Sequence, residues 1–109
     1  MVEKYYNEKG EVGVLLSPEY GGGWYTWGRL DVENPEELIF DKTLIEMILN
    51  KRTCEEIEKY VLNRWPEMDS ASIDDLSVEF LPKGTVFRIN EYDGSEYLEF
   101  RDKIKWLIA

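Results

Sequence analysis

Two residues, Asp93-Gly94, do most to limit what this chain can fold into. Both central positions of a type I′ turn need positive φ, and an Asp-Gly pair between runs of β-branched and aromatic residues meets that need most readily. A two-residue loop leaves no freedom of register. Tyr92 faces Ser95, Glu91 faces Glu96, Asn90 faces Tyr97, Ile89 faces Leu98, Arg88 faces Glu99 and Phe87 faces Phe100. Alternation then puts Phe87, Ile89, Leu98 and Phe100 on one face and Arg88, Asn90, Tyr97 and Glu99 on the other. Upstream, Leu76, Val78 and Phe80 alternate as well, and Pro82-Lys83-Gly84 reads as a turn. The expectation is a three-stranded antiparallel meander whose apolar face needs a cover.

The remaining segments can supply it. Lys4–Tyr6 and Glu11–Leu16 flank the polar turn Asn7–Gly10 and read as a first hairpin. Residues 17–29, with glycines at 21, 22 and 23, cannot continue a strand and read as a loop that returns into a short aromatic strand at Trp24–Trp27. Glu37–Phe40 is a further short strand or a packed lead-in. Asp41 is a natural N-cap for a helix over Lys42–Asn50, with Leu44, Ile45 and Ile48 on one stripe. Thr53 and Glu56 form a capping box for a second helix carrying Ile57, Tyr60, Val61 and Trp65, which stops before Pro66. Lys103–Ile108 forms a last strand or docks the C-terminus. The sum is one α+β domain over residues 1–109, an antiparallel β-sheet (hairpin plus three-stranded meander) covered by a two-helix hairpin.

Charge and residue inventory narrow the function. With 23 acidic and 13 basic residues the formal net charge is −10. Such a field repels nucleic-acid duplexes and anionic membranes, while a few convergent donors still suffice for a small anion. Histidine is absent and Cys54 is the only cysteine, so no intrachain disulfide, Ser-His or Cys-His pair or zinc ligand set is available. No catalytic residue, metal ligand or cofactor motif stands out, and neither a Walker nor a dinucleotide-binding glycine pattern is present. No leader or membrane-spanning run is seen, and a soluble cytoplasmic protein is expected. Glu91 and Glu96, neighbours across the hairpin, would either share a proton or a divalent cation, or simply lie solvated at its tip.

The 17–29 loop offers more. Backbone N–H groups at Gly22 and Gly23 suit phosphate oxygens, Tyr20, Trp24, Tyr25 and Trp27 suit stacking on a base, and Arg29 suits a bidentate phosphate contact. The alternative makes Trp24 and Trp27 core residues and the glycines a mere turn. Arg88, Asn90, Tyr97 and Arg101 add donors on the polar hairpin face, although Arg88 opposite Glu99 also makes a simple cross-strand ion pair. A face bearing Tyr97 would equally suit a second subunit about a two-fold axis, hence a homo-oligomer.

The stretches GVLLSPEYGGGWYTWG (residues 13–28) and LPKGTVFRINEYDGSEYLEF (81–100), with the Trp106–Ala109 terminus, resemble a family of small tailed-phage proteins. Its pattern is an SPGYGxGWSTW-like loop and a KGTxFRIxEYDGSE-like hairpin. The resemblance covers nearly the whole chain. Glu19 and Tyr25 depart from the commoner Gly and Ser, and the pattern brings no catalytic residue with it. In size and in its arginine and aromatic inventory the chain is also similar to phage sponge proteins that sequester nucleotide immune signals of Thoeris and CBASS defence. That resemblance implies a non-enzymatic phage protein in the host cytoplasm that binds a small nucleotide-derived ligand; the loop and polar hairpin face supply the expected binding set, Tyr20, Gly22, Gly23, Trp24, Trp27, Arg29, Arg88, Asn90, Tyr97 and Arg101. The alternatives are an acidic host-directed interaction module and, third, a small hydrolase using the Glu91/Glu96 pair.

Overall fold

A computed structural model describes residues 3–18, 23–30, 32–68, 72–73 and 76–100. In chain order these form β1 (Val12–Leu16), α1 (Tyr25–Gly28), α2 (Glu36–Phe40), α3 (Lys42–Leu49), α4 (Cys54–Arg64), β2 (Ser77–Leu81), β3 (Phe87–Tyr92) and β4 (Ser95–Phe100). Helices and antiparallel strands together make an α+β fold.

Local signals translate directly into structure. Asp93 and Gly94 adopt φ of 51° and 86°, and all six β3–β4 pairs stand in the register that a two-residue turn dictates. Asp41 accepts the Leu44 N–H at 3.0 Å at the start of α3, and the Thr53 hydroxyl accepts the Glu56 N–H at 3.2 Å at the start of α4. The Glu56 carboxylate meets the Thr53 hydroxyl and Arg52. At Asn7–Gly10 the Asn7 side chain accepts from the Lys9 and Glu11 N–H groups. The hairpin it closes is reduced to a single Tyr6–Val12 bridge.

The expected meander divides in two. β2 pairs with β1, Leu15 opposite Val78, and β3 pairs only with β4. The reason lies in β1, whose five residues are all buried. Leu15 packs with Leu44, Ile45 and Val61 of α3 and α4, whereas Val14 and Leu16 pack with Leu81 and Ile89. Had the hairpin extended the β1–β2 sheet in plane, Val14 and Leu16 would face water. Folding it over that side buries both apolar faces at once. The connection leaves the plane at Pro82, whose carbonyl accepts the Thr85 N–H at 3.1 Å while Gly84 sits at φ +86°. The helical hairpin α3–α4 therefore covers β1–β2, and the apolar face of β3–β4 is covered by β1 with Ile39 and Phe40 of α2.

Two short segments, one expected as a strand and the other as a strand or a packed lead-in, are helical turns. Trp24–Trp27 becomes the turn of α1, with Trp24 as its N-cap residue, and the Trp24 ring is drawn into the core beside Trp65. Gly28 closes that turn under Met68; a Cβ there would lie 2.7 Å from the Met68 Cε. Glu36–Phe40 becomes α2, with Pro35 preceding it and Glu36 and Glu37 in its first turn, where carboxylates suit the helix dipole. The expected C-terminal element at 103–108 lies outside the described residues.

Candidate functional site

The hairpin tip grips both shoulders of the glycine-rich loop. Ser17 and Glu96 exchange bonds, the Glu96 N–H donating to the Ser17 carbonyl and the Ser17 N–H to Glu96 Oε1, both at 2.8 Å. Glu96 Oε2 accepts from the Thr26 N–H at 2.7 Å and the Thr26 hydroxyl at 2.9 Å. Gly23 N–H donates to the Gly94 carbonyl at 2.8 Å, and the Ser95 hydroxyl donates to the Pro18 carbonyl. Far from being solvated, Glu96 is 3 % exposed. Its partner Glu91 accepts the Gly94 N–H at 2.7 Å. A water-activating pair needs both carboxylates to reach solvent, and Glu96 does not.

Beside this clasp lies a hollow of about 470 Å³ between α1, α2 and β3. Lys4, Arg29 and Arg88 are among the residues that line it, with Tyr25, Phe40 and Phe87, and Glu36 is the one carboxylate among its described lining residues. The Lys4 ammonium stands 4.8 Å from the centre of the Phe40 ring, a cation–π distance. Arg88 is held from the side by Glu99, through Nε at 2.8 Å and Nη2 at 2.7 Å. Bonds from Asn90 and Arg88 in turn hold the Glu99 carboxyl below its usual pKa. Among the described residues Arg29 and Lys4 have no carboxylate partner.

The structure thus joins some of the expected site residues and separates others. Arg29 and Arg88 share the hollow. Trp24 does not: it is fully buried, and its indole N–H is taken by the Leu38 carbonyl. The Gly23 N–H is engaged by Gly94, and its backbone at φ +52° packs so closely on the Trp27 ring that a Cβ would sit 2.2 Å from it. Trp27 is half exposed. Asn90 donates to Glu99 at 2.7 Å, and Tyr97 lies exposed on the outer hairpin face. Tyr20, Gly22 and Arg101 lie outside the described residues. Sequence reasoning missed Lys4, Phe40 and Phe87, because only the folding of the hairpin over β1 brings the N-terminal segment, α2 and β3 together.

A second polar centre had only a capping signal in the sequence. Asp41, which ends α2 and caps α3, also accepts the Tyr60 hydroxyl at 2.7 Å and pairs with Arg64, which reaches Glu37 at 2.9 Å. Burial first, then the bond to Asp41, raises the Tyr60 pKa above its ordinary value. Burial opposes the charge of Arg64, but Glu37, Tyr60 and Asp41 outweigh it and raise that pKa also. This centre ties α2, α3 and α4 together and is structural.

Ser17 adds a testable oddity: its side-chain hydroxyl is fully buried and has no hydrogen-bond partner among the described residues. An unsatisfied buried hydroxyl costs about 1–3 kcal/mol. Ser17→Ala keeps both backbone bonds to Glu96, so thermal unfolding is expected to show equal or higher stability.

No helix among the described residues is long and apolar enough to cross a membrane. A scan against protein-family models and searches of curated proteins and of solved structures return no match, so the site stands on its own geometry.

Proposed function

We propose that this protein binds a small anionic, nucleotide-derived ligand in the hollow between α1, α2 and β3, without chemical turnover. One observation carries the reading: three basic residues, Lys4, Arg29 and Arg88, line one aromatic-walled hollow in a chain whose net charge is −10. Bases scattered over so acidic a surface would be neutralised by neighbours, and two of these have no carboxylate partner among the described residues. The volume fits a ligand of nucleotide size. Guanidinium forks at Arg29 and Arg88 match phosphate oxygens, Tyr25 and Phe87 offer rings to a base, and Glu36 offers an acceptor to an amine or hydroxyl. Sequestration of a cyclic nucleotide or cyclised ADP-ribose signal by a phage-encoded homo-oligomer in the host cytoplasm is the role this chemistry suits. The outer hairpin face with Tyr97 would pair the subunits.

Isothermal titration against cyclic dinucleotides and cyclised ADP-ribose tests this. Binding at micromolar concentration or tighter is expected for one of them. Arg29→Ala and Arg88→Ala each weaken it at least tenfold, about 1.4 kcal/mol, and added salt weakens it further. A folded protein that binds none of these compounds ends the reading.

A second reading, docking of a basic partner on the acidic surface, is favoured by a wider hollow of about 700 Å³ rimmed by Glu33 and Glu67, with Glu37 already paired to Arg64 on its wall. Capture of a basic host protein that is lost at moderate salt, with Arg29 and Arg88 replaced and no effect, would select it.

A further inference from the structure

Glu96 breaks the rule its own strand follows. On β4 the alternating pattern assigns positions 96, 98 and 100 to the apolar face, where Leu98 and Phe100 pack against β1 and α2. A carboxylate at a core position is costly unless every oxygen finds donors. Here each does: Oε1 takes the Ser17 N–H, and Oε2 takes both the N–H and the hydroxyl of Thr26. These contacts bridge 79 and 70 residues of sequence. The donors also belong to two different shoulders, one at the end of β1 and the other in the first turn of α1.

Thr26 is one residue from Tyr25 and three from Arg29, the two groups that α1 and its C-cap contribute to the hollow. The opposing wall, Phe87, Arg88 and Ile89, belongs to the same hairpin as Glu96. Trp24 anchors α1 to the helical core but leaves its placement against the hairpin to other contacts. Among the described residues, the polar links from this segment to the hairpin are those of Thr26 to Glu96 and of Gly23 to Gly94.

We infer that Glu96 is a positioning residue for the hollow: its buried carboxylate sets α1, and with it Tyr25 and Arg29, at a fixed distance from Arg88 on the hairpin. The inference deepens the proposed binding function and rests on it for its consequence, though not for its geometry. A carboxylate is required because both oxygens must accept. Glutamine would turn an NH2 group toward the donors of one shoulder, and aspartate is a methylene too short to span them.

The test uses Glu96→Gln, with Thr26→Ser as a control that retains all three donors. Residue-resolved amide hydrogen exchange is read first, with no ligand present. Protection at Ser17, Thr26, Gly28 and Arg29 is expected to fall at least tenfold in Glu96→Gln, while Leu44 and Trp65 keep theirs and Thr26→Ser resembles the parent. Titration with pyrophosphate, followed at the Arg29 and Arg88 side-chain Nε–H signals, is read second. Both signals are expected to move together in the parent, with at least tenfold weaker binding in Glu96→Gln. If Glu96→Gln does not fold, Thr26→Val, which removes one donor alone, is expected to give the same local pattern at smaller amplitude. Protection lost evenly across the chain, or unchanged at Thr26, overturns the inference. So does weakened protection with unchanged pyrophosphate affinity. A parent that shows the exchange pattern but no pyrophosphate response instead removes the binding reading, leaving Glu96 as the tie between α1 and the hairpin.

Discussion

Replacing Trp24 with alanine is expected to cost about 4 kcal/mol and to lower the melting temperature by roughly 15–20 °C. Trp24 is fully buried among Leu15, Leu38, Leu44 and Met68, and its ring meets Trp65 edge-on at 5.6 Å and 79°. Truncation removes that contact, opens a cavity between α1 and α4 and strands the Leu38 carbonyl that the indole N–H now satisfies. A domain of this length has a total stability of about 5–15 kcal/mol, so the variant sits near the edge of folding. Trp24→Phe keeps a ring and loses chiefly the hydrogen bond, so about half the loss or less is expected. Chemical denaturation of the three proteins checks the order. A Trp24→Ala protein within 1 kcal/mol of the parent would show that Trp24 is not core and would reopen it as a ligand-stacking residue.

Asp41→Ala is the second large effect, about 3 kcal/mol. The residue is 5 % exposed and does three jobs: it caps α3, accepts the Tyr60 hydroxyl and faces Arg64. Loss of an N-cap alone costs about 1 kcal/mol. The rest comes from a partly buried phenol that loses its carboxylate acceptor and a guanidinium that keeps Glu37 as its one carboxylate among the described residues, beside the Tyr60 hydroxyl. Because the Arg64 side chain is 35 % exposed it partly rehydrates, so the full penalty of a stranded buried charge is not expected. Asp41→Asn keeps an acceptor for Leu44 and loses the charge, and an intermediate stability is expected. Thermal unfolding with circular dichroism at 222 nm reads both variants. Asp41→Asn falling as far as Asp41→Ala would assign the whole effect to the ion pair and none to the cap.

Neither residue displayed its role in the sequence to the same degree. Asp41 was legible as a cap, because capping is a matter of three or four consecutive residues; its bonds to Tyr60 and Arg64 reach 19 and 23 residues ahead and carry no local mark. Trp24 lay in a segment whose aromatic residues favour a strand, and only the space beside Trp65 turned that segment into a helical turn. Arg29 and Arg88 were legible as cations in suggestive company. Lys4 and Phe87, which complete the hollow with them, were not, since the four residues come from three separate parts of the chain. Glu96 did leave a trace: a carboxylate on the apolar side of a hairpin whose register is known. Glu91 lies on that same side without being buried, so the conflict alone did not tell a solvated tip carboxylate from a buried, satisfied one; the contacts with Ser17 and Thr26 did.

The amino-acid order by itself determined what depends on neighbours: the Asp93-Gly94 turn with its six-pair register, the caps at Asp41 and Thr53, and the apolar stripes of α3 and α4. Backbone conformation and short-range hydrogen bonds decide these, and they need no knowledge of distant partners. Only the tertiary structure decided that β2 joins β1, that the hairpin lies across the second face of β1, and that Lys4, Arg29 and Arg88 line one hollow. Those outcomes turn on which pairing buries both faces of one wholly apolar strand, a global competition that no short stretch of residues encodes.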